Sequence, residues 1–256
     1  MDNRLVAFER LLNIMDDLRE KCPWDRKQTM ETLRPLTIEE TYELADAILD
    51  NNLEEVKKEL GDLLLHMVFY AKIGSEKGAF DIADVLNGIC EKLIHRHPHI
   101  YGDIQAETAE QVKQNWESIK LKEGKKSVLE GVPKSLPAVV KASRVQEKVA
   151  GVGFDWENKN QVWDKVQEEL LELQEEVAAG NKDKIEAEFG DVMFALINYA
   201  RFIGVEAENA LARTNSKFIS RFQFMEEAIQ KEGKKMQEMK LAELDVYWDK
   251  SKEVFK

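Results

Sequence analysis

The chain has little of what secreted and membrane-spanning proteins need. Its two cysteines, Cys22 and Cys90, are far apart and form no disulfide framework, so we expect a reducing compartment. The N-terminal segment lacks the uninterrupted apolar core of a signal peptide. The longest apolar stretch, 63–71, is too short to span a bilayer. We therefore expect a cytoplasmic protein that does not bind membranes.

Strand patterns and basic charge are also missing. No sustained period-two alternation with hairpin turns occurs, and nearly every segment has a helical period instead. The net charge is −12, so the chain lacks the basic footprint that nucleic acids require. A small phosphorylated ligand is not excluded, because metal ions can bring one to an acidic pocket. The composition predicts an all-α protein that does not bind nucleic acid.

One acidic pattern is present twice, with a constant offset of 129 residues. The first copy consists of Glu39, Glu40, Glu43, Glu59 and Asp62, and the second of Glu168, Glu169, Glu172, Glu188 and Asp191. The flanking sequence repeats as well, as KELGDLLLHMVFYA at 58–71 and AEFGDVMFALINYA at 187–200. The duplication predicts two related modules, 1–122 and 138–256. The segment 123–137 between them is rich in Gly, Pro and Lys and is the predicted linker.

Periodicity and breaker residues predict four or five helices in each module. The predicted helices of the first module are 3–20, a second that ends near 51–52, 53–73, 81–95 and 107–122. Those of the second module are 138–150, 160–179, 182–203, 206–231 and 241–254. Thr37 and Glu40 suggest a capping box for the second helix, although a start near Glu31 stays open. Short links between helices fit two tandem helical bundles.

The repeated carboxylates have the phase of a shared site. Glu169 and Glu172 follow the apolar residue Val166 by three and six positions, and the acidic pair of the next helix stands in the same relation to Ile185. At 100° per residue, both pairs therefore flank an apolar stripe. Antiparallel packing of the two helices could bring four carboxylates together, and these would repel one another without a cation. Mg²⁺ suits such a site, and a merely solvated acidic face is the alternative.

Longer motifs surround these residues and resemble one family. They are CPWDRKQT, EETYELADAI, KELGDLLLHMVFYA, HRHPHIYGD, SLPAVVKASRVQEKVAGVGFDW, VWDKVQEELLEL, EFGDVMFALINYAR and NSKFISRF. Over nearly its whole length the chain resembles the MazG family of nucleoside triphosphate pyrophosphohydrolases, in the all-α NTP pyrophosphatase superfamily. One departure is Met30, where a histidine is expected.

The resemblance implies a reaction and its residues. It implies hydrolysis of NTPs and dNTPs between the α and β phosphates to NMP and pyrophosphate, with broad base specificity, for nucleotide-pool housecleaning. Mg²⁺ would be the cofactor, with Mn²⁺ as a substitute, and the protein would be a homodimer. By motif, the metal would be held by Glu169, Glu172, Glu188 and Asp191. Triphosphate contacts would come from Lys184, Lys217 and Arg221, with Trp248 on the nucleoside, Lys252 one turn on, and Glu168 as candidate base.

The first module keeps the carboxylates Glu40, Glu43, Glu59 and Asp62 and is a candidate second site. Its basic and aromatic patterns also recur, as Lys92, Arg96, Trp116 and Lys120. Glu55, however, stands at the position that corresponds to Lys184. Its negative charge should weaken triphosphate binding. The second module is therefore the expected catalytic one, and the first is either active or structural.

Several alternatives stay open. One is a dUTPase-like enzyme with a single preferred base, and another is a non-enzymatic helical adaptor whose acidic faces bind proteins. The three histidines of the HRHPH segment at 95–99 suggest a zinc site as a further alternative. A structural loop is favoured, because His95 and His97 cannot share a helix face. Residues 232–240 are a candidate lid near Trp248, with a plain solvated turn as the alternative.

Overall fold

A computed structural model describes residues 2–104, 108, 111–112, 115–116, 119 and 127–255. Within these residues the protein is helical and contains no strand, which confirms the prediction of an all-α fold. None of the described helices is both long and apolar enough to cross a membrane. The chain divides into two compact units, which we call unit 1 (Met1–Val112) and unit 2 (Lys113–Lys256).

The predicted boundaries between the modules stay predictions. Most of the expected helix at 107–122 and the first part of the linker, 123–126, lie outside the described residues. Apart from the second helix and the one at 107–122, every predicted helix begins and ends within three residues of its position in the structure. Periodicity and breaker residues were sufficient for these helices because their ends are set by local sequence.

Unit 1 is built around one long central helix. Its helices are α1 (Asn3–Lys21), α2 (Met30–Leu49), α3 (Leu53–Glu76), α4 (Ile82–Arg96) and the short α5 (Pro98–Tyr101). Helix α3 packs against α1, α2 and α4. The core of the unit consists of Met15, Leu33, Val68, Phe69 and Ile73. Because α3 packs on three helices, its acidic residues lie beside a fixed apolar core.

The capping box predicted at Thr37 is wrong, and the earlier start of α2 that was left open is correct. Thr29 is the N-cap: its hydroxyl accepts a hydrogen bond from the Thr32 N–H at 3.3 Å, and the Thr32 hydroxyl accepts one from the Thr29 N–H at 2.8 Å. Thr37 lies inside the helix, where its hydroxyl donates to the Leu33 carbonyl and lies 2.7 Å from the Tyr70 hydroxyl. The reciprocal threonine pair caps the start of α2 one turn before Pro35, which lies inside the helix.

Unit 2 repeats the helical pair and adds three further helices. Its elements are α6 (Ala138–Ala150), α7 (Lys159–Ala179), α8 (Lys182–Phe202), α9 (Ala207–Lys231), a 3₁₀ turn (Met236–Glu238) and α10 (Leu241–Val254). Helix α7 packs against α8, α6 packs against α8 and α9, and α10 packs against α9. Helix α8 is therefore the central helix of unit 2, in contact with α6, α7 and α9.

A short connection joins the helices of each pair, with two residues, 180–181, in unit 2 and three, 50–52, in unit 1. Gly180, with φ 74°, adopts the left-handed conformation after α7, and the Asn181 side chain caps α8 by accepting from the Lys184 N–H. In unit 1 the same two positions are Asn51, with φ 54°, and Asn52, which caps α3. Connections this short make neighbouring helices antiparallel. The repeated acidic motifs of each unit therefore face one another across a helical hairpin.

Candidate active site

Three carboxylates of unit 2 converge between α7 and α8. Glu169 and Glu172 on α7 and Glu188 on α8 each offer an oxygen, and these oxygens lie within 4.8 Å of one another. Glu169 is only 7% exposed. Burial, and then the charges of Glu169 and Glu188, raise the pKa of Glu172. Asp191, the fourth predicted ligand, does not belong to this group of three close carboxylates among the described residues. It does line a cavity that Glu169 also lines.

Lys165 contacts the cluster and was not predicted from the sequence. Its Nζ lies 2.8 Å from an oxygen of Glu168 and 2.8 Å from an oxygen of Glu169. Hydrogen bonds to Glu168 and then Glu169 raise the pKa of Lys165. The candidate base Glu168 is therefore ion-paired in the structure. The signal was present in the sequence, because a lysine three and four positions before two glutamates lies on their helix face.

Unit 1 holds a matching cluster with a different environment. Oxygens of Glu40, Glu43 and Glu59 lie within 4.8 Å of one another. Glu59 is 4% exposed, and its Oε2 has no hydrogen-bond partner among the described residues. Burial raises the pKa of all three glutamates, and the charge of Asp62 contributes to the shift of Glu40. Asp62 is not one of the three mutually close carboxylates that the structure describes.

Both clusters fit a hard divalent cation. All the converging ligands are carboxylate oxygens, which Mg²⁺ prefers and Mn²⁺ also accepts. The buried Glu59 Oε2 without a partner among the described residues is a donor atom of the kind that a cation would satisfy. The raised pKa of Glu172 and of the unit 1 glutamates follows from placing like charges together away from water. A cation between them would remove that repulsion.

A cavity of about 590 Å³ opens beside the unit 2 cluster. Its polar edge includes Lys165, Glu169 and Asp191, so the cavity is continuous with the carboxylates. A volume of this size is within the range of pockets that bind small molecules. The sequence did not predict it, because residues from α6, α7, α8 and the loop after α6 must meet to form it.

Aromatic side chains and one ion pair form much of the remaining wall. Phe154 and Trp156 come from the loop between α6 and α7, and Phe194 comes from α8. Asp155 and Arg201 also line the cavity, and an Arg201 Nη2–Asp155 Oδ1 contact of 2.5 Å joins the loop to α8. The loop aromatic residues were missed as site residues, although they lie in a motif that carried the family resemblance.

The predicted phosphate-binding residues lie on several elements. Lys184 is at the start of α8, where its Nζ lies 2.9 Å from Glu176, and that hydrogen bond raises the pKa of Lys184. Lys217 is exposed on α9. Lys252 on α10 forms an ion pair with Asp249 at 2.8 Å. Lys184 and Lys252 are held by carboxylates in the structure, and the contacts of all three lysines with phosphate stay predictions.

Arg221 and Trp248 are brought together, on α9 and α10. The Arg221 guanidinium lies 6.0 Å from the Trp248 ring centroid and donates to the Phe255 carbonyl at 2.6 Å. The Trp248 ring packs on Phe218 with centroids 5.1 Å apart, beside the core cluster that includes Tyr247. Trp248 is thus packed against its own unit, and its predicted contact with a nucleoside stays a prediction.

The other candidate sites have simple surroundings. The His97 Nδ1 lies 2.6 Å from the Leu93 carbonyl, and in the described part of the chain no histidine belongs to a group able to hold a metal. In the candidate lid, Lys234 contacts Glu232 at 2.7 Å and the Tyr247 hydroxyl at 3.0 Å, which fastens the segment to α10. Lys120 lies outside the described residues.

Comparison with known proteins gives a consistent result. The model of the MazG nucleotide pyrophosphohydrolase domain matches residues 28–101 and again 158–224. The chain is 46% identical to the nucleoside triphosphate pyrophosphohydrolase/pyrophosphatase MazG of Thermotoga maritima, over 96% of both chains. It is 42% identical to the nucleoside triphosphate pyrophosphohydrolase of Escherichia coli K12, over 96% of this chain and 97% of the relative. A crystal structure of a MazG-related protein from Thermotoga maritima covers 44% of this chain and 98% of its own, with 29% identity and a TM-score of 0.40.

Proposed function

This chain belongs to the MazG nucleotide pyrophosphohydrolase family, and we propose that it hydrolyses NTPs and dNTPs between the α and β phosphates. The products are NMP and pyrophosphate, and the role is housecleaning of the nucleotide pool. The observation that carries the proposal is the convergence of Glu169, Glu172 and Glu188 beside a cavity of about 590 Å³. A polar cluster next to an apolar pocket is what a triphosphate joined to a nucleoside needs.

The cofactor of the proposed reaction is Mg²⁺, with Mn²⁺ as a substitute. Its ligands would be Glu169, Glu172, Glu188 and Asp191, which the all-oxygen cluster supports. When bound, the metal offsets phosphate charge and lowers the pKa of a water for in-line attack. The residues of the chain hold the substrate in line and keep the nucleoside in the cavity.

Lys165 and Glu168 have complementary roles in this proposal. With substrate bound, the Lys165 ammonium exchanges its contact with Glu168 for a phosphate oxygen, where it stabilises the developing charge. The freed Glu168 carboxylate then accepts the proton of the attacking water. Lys184, Lys217 and Arg221 are the further proposed phosphate donors. Both Lys165 and Lys184 are held by carboxylates in the structure, so each would change partner on binding.

We further propose that the protein is a homodimer. Helix α4 of unit 1 supports this, because Val85, Leu86, Ile89 and Leu93 are each more than 40% exposed. Apolar side chains grouped on one helix usually mark a contact surface. Sedimentation equilibrium over a range of protein concentrations tests this, and a single monomeric species at micromolar concentration would contradict it.

The reaction is tested by product analysis. Purified protein is incubated with each NTP and dNTP, with Mg²⁺ or with a chelator, and the products are separated by ion-exchange chromatography. We expect NMP and pyrophosphate, and we expect the chelator to abolish both. NDP and phosphate would overturn the assignment of the bond. If a folded, metal-loaded sample turns over no nucleotide, the alternative of a non-enzymatic helical adaptor is favoured. The convergence of the carboxylates argues against that alternative, because an adaptor does not need it.

A further inference from the structure

The loop between α6 and α7, residues 151–158, carries aromatic side chains at the open edge of the unit 2 cavity. Phe154 and Trp156 both line the cavity, and they are 80% and 44% exposed. Large apolar side chains at the mouth of a cavity lose contact with water when a ligand enters. The position of this loop therefore decides how much apolar surface a bound molecule can bury there.

The two ends of the loop are fixed by the neighbouring helices. The Gly153 and Phe154 N–H groups donate to carbonyls of α6 at 2.9 and 3.0 Å. Gly153, with φ 88°, adopts the left-handed conformation that turns the chain away from α6. At the other end, the Asn158 side chain caps α7. The middle of the loop, Asp155 and Trp156, has no backbone–backbone hydrogen bond among the described residues.

One side chain joins the middle of the loop to α8. The Asp155 carboxylate accepts from two nitrogens of the Arg201 guanidinium, Nη2 at 2.5 Å and Nη1 at 2.8 Å, and it also accepts from the Trp156 N–H at 2.9 Å. A two-point contact of this kind fixes orientation as well as distance. In the described part of the chain, it is the only hydrogen bond or ion pair between residues 151–158 and α8.

Arg201 is itself held in place by its neighbours on α8. Its Nε and Nη2 donate to the Asn198 Oδ1 at 3.1 and 2.9 Å, and its guanidinium lies 4.6 Å from the Phe202 ring centroid. The side chains of Arg201 and Asp155 are only 25% and 27% exposed, so salt screens their attraction less than that of a fully exposed pair. A guanidinium that is already ordered loses little rotamer freedom when it binds a carboxylate. Arg201 is therefore a fixed attachment point for the loop.

The corresponding charge of unit 1 has a different partner. Lys72 stands at the position of Arg201, at the same offset of 129 residues. Its Nζ lies 2.6 Å from Asp16 on α1, so it connects α3 to a helix instead of a loop. An ammonium also lacks the two-point geometry of a guanidinium. The attachment of an aromatic loop by a guanidinium thus occurs in the unit that contains the cavity of about 590 Å³.

We propose that Asp155 and Arg201 are positioning residues for the nucleoside of the substrate. Their ion pair holds the loop against α8, so that Phe154 and Trp156 border the nucleoside in the cavity. This inference rests on the proposed function and names the contact that retains the nucleoside. Aromatic rings stack on any base, so the ion pair affects all nucleotides alike. Without it, the two aromatic side chains have to be ordered during binding, which lowers affinity.

A double-mutant cycle tests the pair. The variants are Asp155→Ala, Arg201→Met and both together, and Lys72→Met is the matched control that removes the ion pair at the corresponding position of unit 1. KM and kcat are measured with ATP and with UTP. Each single variant should raise KM for both nucleotides about tenfold, because ordering the two aromatic side chains then opposes binding. Because ground-state and transition-state binding are lost together, kcat should change less than about twofold.

The double variant should be no worse than either single variant, since each already breaks the pair, and the control should leave KM within about twofold of wild type. A double variant that raises KM about 100-fold would overturn the inference, because the two residues would then act separately. So would a parallel rise in the inhibition constant of inorganic tripolyphosphate, which has no nucleoside. Circular dichroism checks that each variant is folded. If Arg201→Met does not fold, Asp155→Ala decides alone, and a KM close to that of wild type overturns the inference.

Amide hydrogen exchange of the full chain separates this inference from the proposed reaction. AMP, whose binding requires no hydrolysis, should slow exchange at residues 152–157 in wild type and slow it less in Asp155→Ala. Unchanged exchange with saturating AMP overturns the inference even if NTPs are hydrolysed. Slowed exchange in a protein that releases no NMP and pyrophosphate supports the role of the loop and overturns the proposed reaction alone.

Discussion

Unit 1 and unit 2 contain the same acidic hairpin, but its surroundings differ. Both hairpins use a short connection and bring three glutamate oxygens within 4.8 Å. The residues beside them have changed in size or charge. The corresponding positions, unit 1 first, are Leu36 and Lys165, Glu55 and Lys184, His66 and Ala195, and Phe69 and Asn198. The hairpin therefore accounts for the carboxylate cluster, and these neighbours decide what can bind beside it.

The residues beside the carboxylate cluster are charged or small in unit 2 and apolar or larger at three of the four corresponding positions in unit 1. Lys165 places a positive charge against Glu168 and Glu169, whereas Leu36 packs against the core of unit 1. Burial lowers the pKa of His66, which keeps its imidazole neutral over more of the pH range. Unit 1 therefore has the same carboxylate cluster, but with Leu36 where unit 2 has Lys165, and with His66 and Phe69 where unit 2 has Ala195 and Asn198. We infer from this comparison that nucleotide turnover belongs to unit 2.

The largest expected effect separates the two clusters. Glu172→Gln with Glu188→Gln should lower turnover of ATP by about 10³-fold, because it removes charges that hold the metal and position the water. The matched pair in unit 1, Glu43→Gln with Glu59→Gln, should reduce it by less than about half. The measurement is kcat with saturating Mg²⁺. Equal losses from the two pairs would mean that both units catalyse.

An exchange at one position tests the role of the pocket. Ala195→His gives unit 2 the residue found in unit 1 and should raise KM for ATP by about 10–100-fold, because overfilling a pocket displaces its ligand. The reverse change in unit 1, His66→Ala, should leave KM within about twofold. Steady-state kinetics with ATP provide the measurement. If Ala195→His leaves KM unaltered, the nucleoside binds elsewhere.

A charge exchange should have a smaller effect. Lys184→Glu should raise KM for NTPs about tenfold, because a charged hydrogen bond to phosphate is replaced by repulsion. Glu55→Lys in unit 1 should change KM and kcat less than about twofold. Both variants are assayed at low and high salt, and the Lys184→Glu defect should shrink as salt screens it. A clear gain of turnover in Glu55→Lys would show that unit 1 can be activated.

The smallest expected effect is on the pH dependence of the free energy of unfolding. Burial raises the folded pKa of Glu40, Glu43, Glu59 and Glu172 above the ordinary value of 4.5. The folded protein therefore keeps these protons to higher pH than the unfolded chain does. The contribution of these four groups to the free energy of unfolding of the metal-free protein should fall as pH rises from about 4.5 through the raised pKa values and should remain lower above them, whereas Glu76, whose pKa is lowered by its hydrogen bond to Arg19, contributes in the opposite direction.

Thermal unfolding in chelator between pH 4 and pH 8 measures this. Glu43→Gln with Glu59→Gln should flatten the dependence by removing two of the shifted groups. Mg²⁺ at 100 times its dissociation constant should stabilise the protein near pH 7 by about 2.7 kcal/mol. If the stability of wild type relative to the Glu43→Gln, Glu59→Gln variant rises with pH in the absence of metal, the assigned direction is wrong.

Local signals were sufficient for most of the fold but not for every boundary. The capping box at Thr37 was a wrong prediction because two signals competed, and the threonine pair at Thr29 and Thr32 forms the cap one turn before Pro35. The three close glutamates of each unit could be predicted because helical phase and a short connection together bring them to one interface. Asp62 and Asp191 were predicted as the fourth ligand of each cluster, but neither belongs to the three carboxylates that lie within 4.8 Å of one another in the described residues. Their role as ligands stays a prediction.

The sequence by itself determined the all-α class, the positions of most helices and the two acidic hairpins, because these depend on residues close together in the chain. Only the tertiary structure decided the cavity of unit 2 and the contact between Gln146 and Phe194, two residues that line it. Gln146 and its partner Phe194 are 48 residues apart, and they meet because α6 packs against α8 at a particular position. Periodicity predicts which face of a helix is buried, but not which side chain of another helix it meets there.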